Sequence, residues 1–363
     1  MQVLVIFYIV LGLFASLSYV KNVDGYFSNL PVKKCISICF LLFFVLFVSS
    51  RSPQHPGDTE VYLRLFDYLS KFDLFNIPDN FRVESGFLLL THIISRISSS
   101  HSVYMLVIAL TQVVLWYFCF NIWVARRNVL IAVVIFCSLF TSYNLGGNVL
   151  RQGIALPIAI ISLKLLLERK VYAGLLLLLF ASFFHKSVFI ILACWIVSIE
   201  RLEVKFYFLT FGIITVLSLT GLFNNIASYI ALDSSSYSHL IREGPMESYK
   251  IGFRIDFWLL SCVPLFLYFL LKVNERVKFS NVIKVYLTLF SVFIIAFEIP
   301  YSDRVGIYLW SMIAILVPLF IGSYQFKIFN SEFFTIFLSI VLGFLFFQYY
   351  PVMNMSFYFN EII

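Results

Sequence analysis

The chain has 363 residues, of which 61% are hydrophobic and 12% charged, and its formal net charge is +7. Soluble domains are about 45–50% apolar and about 25% charged, so this chain lacks the polar side chains that would cover a globular surface. The same composition excludes disordered, collagen-like and disulfide-rich proteins. Long apolar runs without alternation exclude a transmembrane β-barrel. The sequence therefore predicts an all-α, polytopic integral membrane protein.

The apolar runs predict about twelve transmembrane helices, within a range of 11–13. A further segment, 84–98, is short and carries several polar side chains, so we interpret it as a re-entrant or interfacial helix. Without repeats or linkers, the chain is predicted to form one membrane domain over 1–363, with long outer loops at 51–83 and 224–254. The predicted spans are 3–20, 35–50, 103–124, 129–143, 150–167, 171–184, 187–199, 206–223, 255–272, 282–299, 305–322 and 333–350.

The positive charge is explained by membrane topology, because cytoplasmic loops collect Lys and Arg. All the basic clusters between spans fall on the cytoplasmic side if 84–98 does not cross the membrane, which leaves both termini outside. No nucleic-acid motif occurs, and no nucleic-acid partner is predicted. The clusters are Lys21/Lys33/Lys34, Arg126/Arg127, Arg169/Lys170, Arg201/Lys205, Lys272/Arg276/Lys278 and Lys327.

The first outer loop contains an amphipathic segment. Val61, Leu65, Phe66 and Leu69 recur at helical spacing, which predicts an interfacial helix starting near Asp58.

Three arginines stand at predicted helix N-termini on the outer face: Arg151, Arg254 and Arg304. A cation there opposes the helix dipole, so each position calls for a compensating anion. Free backbone N–H groups beside a guanidinium suit phosphate or pyrophosphate. The alternative is that each arginine pairs with a neighbouring carboxylate, such as Asp256 or Asp303, or with lipid phosphates.

Two further ionisable residues lie at the same predicted face. His185 occupies an outer turn between two short spans, where an imidazole could act as a general base or bind phosphate. The alternative is a histidine that caps a helix end. Glu84 stands at the mouth of 84–98, either as a partly buried acid with a raised pKa or as a carboxylate stabilised by the helix dipole.

Asp58-Thr59-Glu60 forms an acidic D-x-E pattern that could hold a divalent cation, but residues two apart on a helix point in different directions. We prefer Asp58 as a helix cap, and we predict no metal and no cofactor. Polar groups gather at one membrane face instead of the midplane. This pattern favours chemistry on a lipid-linked substrate over ion-coupled transport.

Six short motifs occur in order over residues 51 to 304. With their hydropathy gaps, they resemble the EpsG branch of the Wzy-type polysaccharide polymerases. One departure is Ser85, where many members of that branch have proline. The motifs are Arg51-x5-Gly57-Asp58-Thr59-x2-Tyr62, Glu84-x-Gly86-Phe87, Arg151-Gln152-x-Ile154-Ala155, Phe184-His185-x-Ser187, Arg254-x-Asp256 and Asp303-Arg304.

The resemblance implies a bacterial inner-membrane glycosyltransferase of O-antigen (lipopolysaccharide), capsule or exopolysaccharide synthesis, with its active site facing the periplasm. Such enzymes join oligosaccharide units carried on undecaprenyl diphosphate, so the implied partners are that lipid-linked unit and membrane lipid, with a chain-length regulator and a flippase besides. In this reaction arginines would bind the pyrophosphate, and a histidine or carboxylate would take the acceptor proton. The candidates are Arg51, Arg151, Arg254 and Arg304 for the first role, and His185, Glu84, Asp58 and Asp256 for the second.

Other functions stay open at this point. A different multi-span glycosyltransferase would use Asp58 and Glu60 with a metal ion, and an O-antigen ligase would share most of the polymerase features. From another class, a lipid-linked oligosaccharide flippase also needs many spans and basic residues, but it should line a central cavity with charge. A purely structural membrane scaffold would not need three outward arginines.

Overall fold

The computed structural model describes residues 2–19, 29–50, 58–72, 83–199, 202–223, 252–298, 302–323 and 331–349, and every regular element in these ranges is helical. The predicted all-α class is therefore confirmed there. Arg51 and residues 224–251 of the second outer loop lie outside the described residues. The helices are α1 Gln2–Leu17, α2 Leu30–Ser49, α3 Asp58–Leu69, α4 Ser85–Ile97, α5 His101–Trp123, α6 Val129–Ser138, α7 Phe140–Gly147, α8 Leu150–Leu167, α9 Val171–Ser182, α10 Phe189–Ile199, α11 Val204–Leu219, α12 Ile255–Leu270, α13 Val273–Lys278, α14 Ser280–Ile295, α15 Asp303–Ser323 and α16 Ser331–Tyr349.

Within the described residues, five helices are long and apolar enough to cross a membrane, namely α2, α5, α8, α14 with its 3-10 extension, and α15. The number rises to six if α6 and α7 together form one span. The predicted twelve crossings are not confirmed, because several predicted spans are short helices. For example, α9 has 12 residues and α10 has 11, whereas a straight crossing takes about 20.

The predicted span 129–143 is broken at Leu139, where α6 and α7 meet at an angle of 72°. Leu139 takes an extended conformation. The Oγ of Ser142 donates to the carbonyl of Leu139 at 2.6 Å, and the hydroxyl of Tyr143 donates to the carbonyl of Cys137 at 2.7 Å. These side chains satisfy carbonyls that a continuous helix would have bonded to its own N–H groups. The hydropathy profile does not distinguish one continuous span from two helices with a break between them, because both helices are apolar.

The chain divides into two compact units, and the first comprises residues 1–189 with 321–363. All ten residues of α6 are buried, and α6 packs against α2, α5 and α16. A helix that is apolar all round belongs in the centre of such a unit. The prediction of one membrane domain over 1–363 stays a prediction.

Helices α8 and α9 form an antiparallel hairpin in the first unit. Arg169 ends α8 in the left-handed conformation, with φ of 62°. The hydroxyl of Ser162 donates to the carbonyl of Gly174 at 2.7 Å, and a Cβ on Gly174 would lie 2.7 Å from the side chain of Leu166. Helix α9 therefore runs back along α8, and the turn after α9 lies at the N-terminal end of α8.

The other end of α8 lies beside the end of α5. The indole Nε1 of Trp123 donates to the carbonyl of Ile160 at 3.0 Å, and the Nζ of Lys164 lies 5.2 Å from the Trp123 ring centre. Arg127, just before α6, donates to the carbonyl of Gly322 at 3.3 Å. Thirteen residues of α8 separate Lys164 from Arg151, which corresponds to roughly 20 Å at a helical rise of about 1.5 Å per residue.

The second unit comprises residues 190–320. Helix α14 packs against α11 and α12. A buried polar group ties α12, α14 and α15 together: the Nε1 of Trp310 donates to the Oγ of Ser261 at 3.0 Å, and the hydroxyl of Tyr286 donates to the carbonyl of Ser261 at 2.8 Å. Because each buried donor has an acceptor, these polar side chains are accommodated in an apolar interior.

Candidate active site

The amphipathic helix α3 begins at Asp58, as the sequence predicts, and its first turn docks on the break between α7 and α8. The backbone N–H of Asp58 donates to Oδ1 of Asn148 at 2.8 Å, and the hydroxyl of Thr59 donates to the carbonyl of Gly147 at 2.5 Å. These bonds hold the start of α3 at the N-terminal end of α8. The partners come from the Asn144-Leu-Gly-Gly-Asn148 stretch.

One of the four residues predicted to form the buried face of α3 is exposed in the structure. Leu65, Phe66 and Leu69 are buried as predicted, but Val61 is 55% exposed. Tyr62 takes its place in the interior at 5% exposure, and its ring lies 5.4 Å from that of Phe87 in α4. Tyr62 therefore links α3 to α4 and faces the start of α8.

The break before α8 is stabilised by one side chain of α5. The Nε2 of Gln112 donates to the carbonyls of Leu145 and Leu150, at 3.1 and 3.3 Å. A Cβ on Gly153 would lie 2.4 Å from this nitrogen and 2.7 Å from the carbonyl oxygen of Leu145. Glycine at 153 is thus required where α8 passes the amide.

Arg151 is the second residue of α8, and its guanidinium has two partners. Nη1 donates to Oε2 of Glu84 at 2.5 Å, and Nε donates to the hydroxyl of Tyr62 at 3.3 Å. The side chains of Arg151 and Glu84 are 23% and 10% exposed, so the ion pair is largely shielded from solvent. The anion that compensates the cation at this helix N-terminus is a carboxylate 67 residues away in sequence.

The turn after α9 brings His185 to the same carboxylate. Its Nδ1 lies 3.3 Å from Oε1 of Glu84, and the backbone N–H of Lys186 donates to that oxygen at 3.2 Å. The N–H of Gly86 donates to the carbonyl of Phe183 at 2.8 Å, which joins the first turn of α4 to the turn after α9. A Cβ on Gly86 would lie 2.8 Å from that oxygen, so the contact depends on glycine.

Glu84 is the centre of this cluster, and its pKa is lowered. Burial raises the pKa, but the contact with His185, the charge of Arg151 and the N–H donors outweigh burial and bring the pKa of Glu84 to about 2. Of the two alternatives for Glu84, the raised pKa is therefore wrong. A carboxylate that stays ionised and holds three partners is a weak proton acceptor, so the geometry favours a positioning role over that of the base.

Two predicted arginines lie in the second unit. Arg254 precedes α12 and forms a bidentate pair with Asp256, with Nε to Oδ1 at 2.9 Å and Nη2 to Oδ2 at 2.6 Å. Its guanidinium also lies 3.9 Å from the ring centre of Phe257. Arg304 is the second residue of α15, after Asp303. For Arg254 the neighbouring-carboxylate alternative describes the observed pairing, whereas a pyrophosphate role for Arg254 and Arg304 stays a prediction.

The two acidic residues of the D-x-E pattern lie in the first turn of α3 and are held by different contacts. Glu60 pairs with Arg64 at 3.6 Å, and its side chain is 61% exposed. The N–H of Asp58 is anchored on Asn148 instead. Among the described residues no group of three or more His, Cys, Asp or Glu side chains is arranged to hold a metal ion.

The structure brings together Glu84, Arg151 and His185, with Asp58 at the edge of the group through Asn148. Tyr62 belongs to this site and is absent from the predicted site residues. It occurs in the first motif, four positions after Asp58, so the signal was present in the sequence. The missing information was that position 62, rather than 61, faces inward.

The sequence profile of the EpsG family matches residues 34–360, nearly the whole chain. No curated protein and no solved structure matches this chain. The chain belongs to the EpsG family, which makes it a polysaccharide polymerase-like membrane protein.

Proposed function

We propose that this EpsG-family chain polymerises lipid-linked oligosaccharide units at the periplasmic face of a bacterial inner membrane. The donor is a growing glycan on undecaprenyl diphosphate, and the acceptor is a sugar hydroxyl of an incoming lipid-linked unit. The observation that carries the proposal is the Glu84 carboxylate, which engages Arg151, Lys186 N–H and His185 at one end of α8. Four of the six motifs shared with the family meet at this cluster.

Arg151 is suited to bind the leaving pyrophosphate. A guanidinium has five N–H donors, and within the described residues only Nε and Nη1 of Arg151 donate to protein acceptors. Nη2 is therefore available to a phosphate oxygen. Glu84 and Tyr62 fix the plane of the guanidinium, so little reorganisation is needed as negative charge develops on the leaving group.

His185 is suited to accept the proton of the attacking hydroxyl. Nδ1 lies 3.3 Å from Oε1 of Glu84, so the carboxylate stands on one side of the imidazole, and in the proposed mechanism Nε2 on the other side takes the proton, as in a histidine base oriented by a carboxylate. The acceptor oxygen then bonds to the anomeric carbon of the donor sugar, and the bond from that carbon to the pyrophosphate oxygen breaks. The proton goes to His185 Nε2, and the pyrophosphate leaves on its lipid with its charge stabilised by Arg151.

The proposal is tested by glycan analysis of a deletion strain that carries Arg151→Ala. We expect surface glycan of single units with normal protein level, because loss of a phosphate ligand impairs transfer but not delivery of units. Arg64→Ala is the matched control, since Arg64 is 70% exposed on α3 and pairs only loosely with Glu60. Wild-type chain-length ladders from Arg151→Ala would overturn the assignment. Complete loss of surface units would instead indicate the flippase alternative.

A further inference from the structure

A groove-like cavity of about 300 Å³ lies in the second unit, between α10, α11 and α14. Its lining is mainly aliphatic and aromatic and includes Ile214, Leu287 and Val292. Its lining includes none of Glu84, Arg151 and His185, which lie in the first unit. Its occupant is thus a question independent of the proposed function.

The groove runs along two parallel helices. The Nζ of Lys284 in α14 lies 5.5 Å from the ring centre of Tyr207 in α11, and further on the rings of Phe290 and Phe211 lie 4.7 Å apart. Residue numbers rise together along both helices, so their N-termini lie at the same end. The cavity therefore has a long axis with one end marked by Lys284.

The walls of the groove offer few hydrogen bonds to a ligand. The hydroxyl of Thr210 donates to the carbonyl of Phe206 at 2.9 Å, and that of Thr288 donates to the carbonyl of Lys284 at 2.9 Å. Tyr207 donates to the carbonyl of Val197 at 2.6 Å. Since these hydroxyls already donate to backbone carbonyls, the groove suits an alkyl chain better than a sugar.

The end of the groove near Lys284 is strongly basic. In the sequence, five cations and two carboxylates, Glu203 and Glu275, lie in or just before the N-terminal parts of α11 and α14. One of them, Lys205, is 67% exposed, and Nζ lies 2.9 Å from a Glu203 oxygen. The excess of positive charge favours an anionic group at this end. The cations are Lys205, Lys272, Arg276, Lys278 and Lys284.

We propose that this groove is a binding site for an anionic phospholipid, with an acyl chain along α11 and α14 and the headgroup phosphate at Lys205 and Lys284. The apolar walls suit the acyl chain of the lipid, and the basic end favours anionic over zwitterionic headgroups. A Lys or Arg near a membrane surface strengthens attraction to anionic lipid by about fivefold.

Native mass spectrometry of the delipidated full-length protein tests the site, with phosphatidylglycerol or phosphatidylcholine of identical acyl chains added back. We expect one phosphatidylglycerol to be retained more tightly than phosphatidylcholine, by at least about fivefold. Lys284→Gln together with Lys205→Gln should remove the preference, and Thr288→Trp should reduce retention of both lipids by filling the groove. Thermal unfolding in detergent checks that each variant is folded.

Lys170→Gln is the matched control, because Lys170 is 62% exposed and pairs with Glu168 at the same 2.9 Å as the Lys205–Glu203 pair. It should leave the preference unchanged. Equal retention of the two phospholipids, or unchanged retention in a folded Thr288→Trp variant, would overturn the proposal. Tighter retention of undecaprenyl phosphate than of phosphatidylglycerol would also overturn the proposal. So would a dimer of the protein that dissociates in the Thr288→Trp variant, because the groove would then bind a second copy of the chain.

Discussion

At the scale of single residues, the central feature is a carboxylate that binds a guanidinium and a backbone N–H and stays ionised. Glu84 receives bonds from Arg151 and Lys186 and lies 3.3 Å from His185, with only 10% of its side chain exposed. Breaking such a shielded pair costs more than forming it stabilises, since the remaining charge stays poorly solvated. In the proposed mechanism Glu84 is therefore a positioning residue for Arg151 and His185.

We expect Glu84→Gln to lower the polymerisation rate by about 10²–10⁴-fold, because the amide no longer orients the imidazole or neutralises the guanidinium. The measurement is the rate of polymer formation by purified protein on a lipid-linked repeat unit. Glu60→Gln is the control, since Glu60 is 61% exposed on α3. A wild-type rate with Glu84→Gln would remove Glu84 from the active site.

The low pKa of Glu84 also predicts a pH dependence of stability. The folded-state pKa of about 2 lies below the ordinary value of 4.5, so the stabilising contribution is fully present above about pH 4.5 and is lost as the pH falls toward 2. The difference in melting temperature between wild type and Glu84→Gln should thus be constant near neutral pH and shrink below pH 4.5. A difference that grew on acidification would contradict this pairing.

At the scale of elements, the site depends on two close approaches. The first turn of α4 touches the turn after α9 at Gly86, and the start of α8 passes Gln112 at Gly153. Neither contact follows from helix propensity or hydropathy. Glycine by itself weakens a helix, but at both positions the absence of a side chain allows two segments to pack closely.

Gly86→Ala should separate α4 from the turn that carries His185, since the new Cβ would lie 2.8 Å from the carbonyl oxygen of Phe183. We expect loss of most polymerase activity and a lower melting temperature. Gly212→Ala in α11 is the control, because its Cβ would meet no atom within 4 Å and alanine is the better helix former. Equal behaviour of the two variants would show that the α4 contact is dispensable.

At the scale of the whole molecule, the first unit has basic residues at one end of α8 and the candidate active site at the other. Arg127 and Lys164 lie at one end of the α5–α8 pair, and Glu84, Arg151 and His185 lie at the other, with roughly 20 Å of α8 between Lys164 and Arg151. This separation agrees with cations on the cytoplasmic side and chemistry on the opposite face. The sidedness itself stays a prediction.

Cysteine labelling in a background without the six natural cysteines tests the sidedness. We expect Arg126→Cys to react only with reagent on the cytoplasmic side, and Lys186→Cys only from the periplasmic side, since both positions are exposed and lie at opposite ends of the unit. Labelling of both from one side would contradict the proposed topology. Labelling of residue 126 from the periplasm alone would indicate that 84–98 crosses the membrane.

The sequence by itself determined the class, the family and the residues to examine. Low charge and long apolar runs leave helices as the way to satisfy backbone hydrogen bonds in lipid, and the ordered motifs identify the EpsG family. Helices α5 and α8 were predicted closely for the same reason. These conclusions rest on composition and local pattern, which do not depend on how the chain packs.

Only the tertiary structure decided which of these residues meet. The Glu84–Arg151 pair joins positions 67 apart, and His185 reaches it through the α8–α9 hairpin. The break at Leu139 and the inward turn of Tyr62 likewise depend on hydrogen bonds and packing made after folding. Hydropathy measures how apolar a segment is, whereas an active site depends on which polar groups find partners, and that is a property of the packed chain.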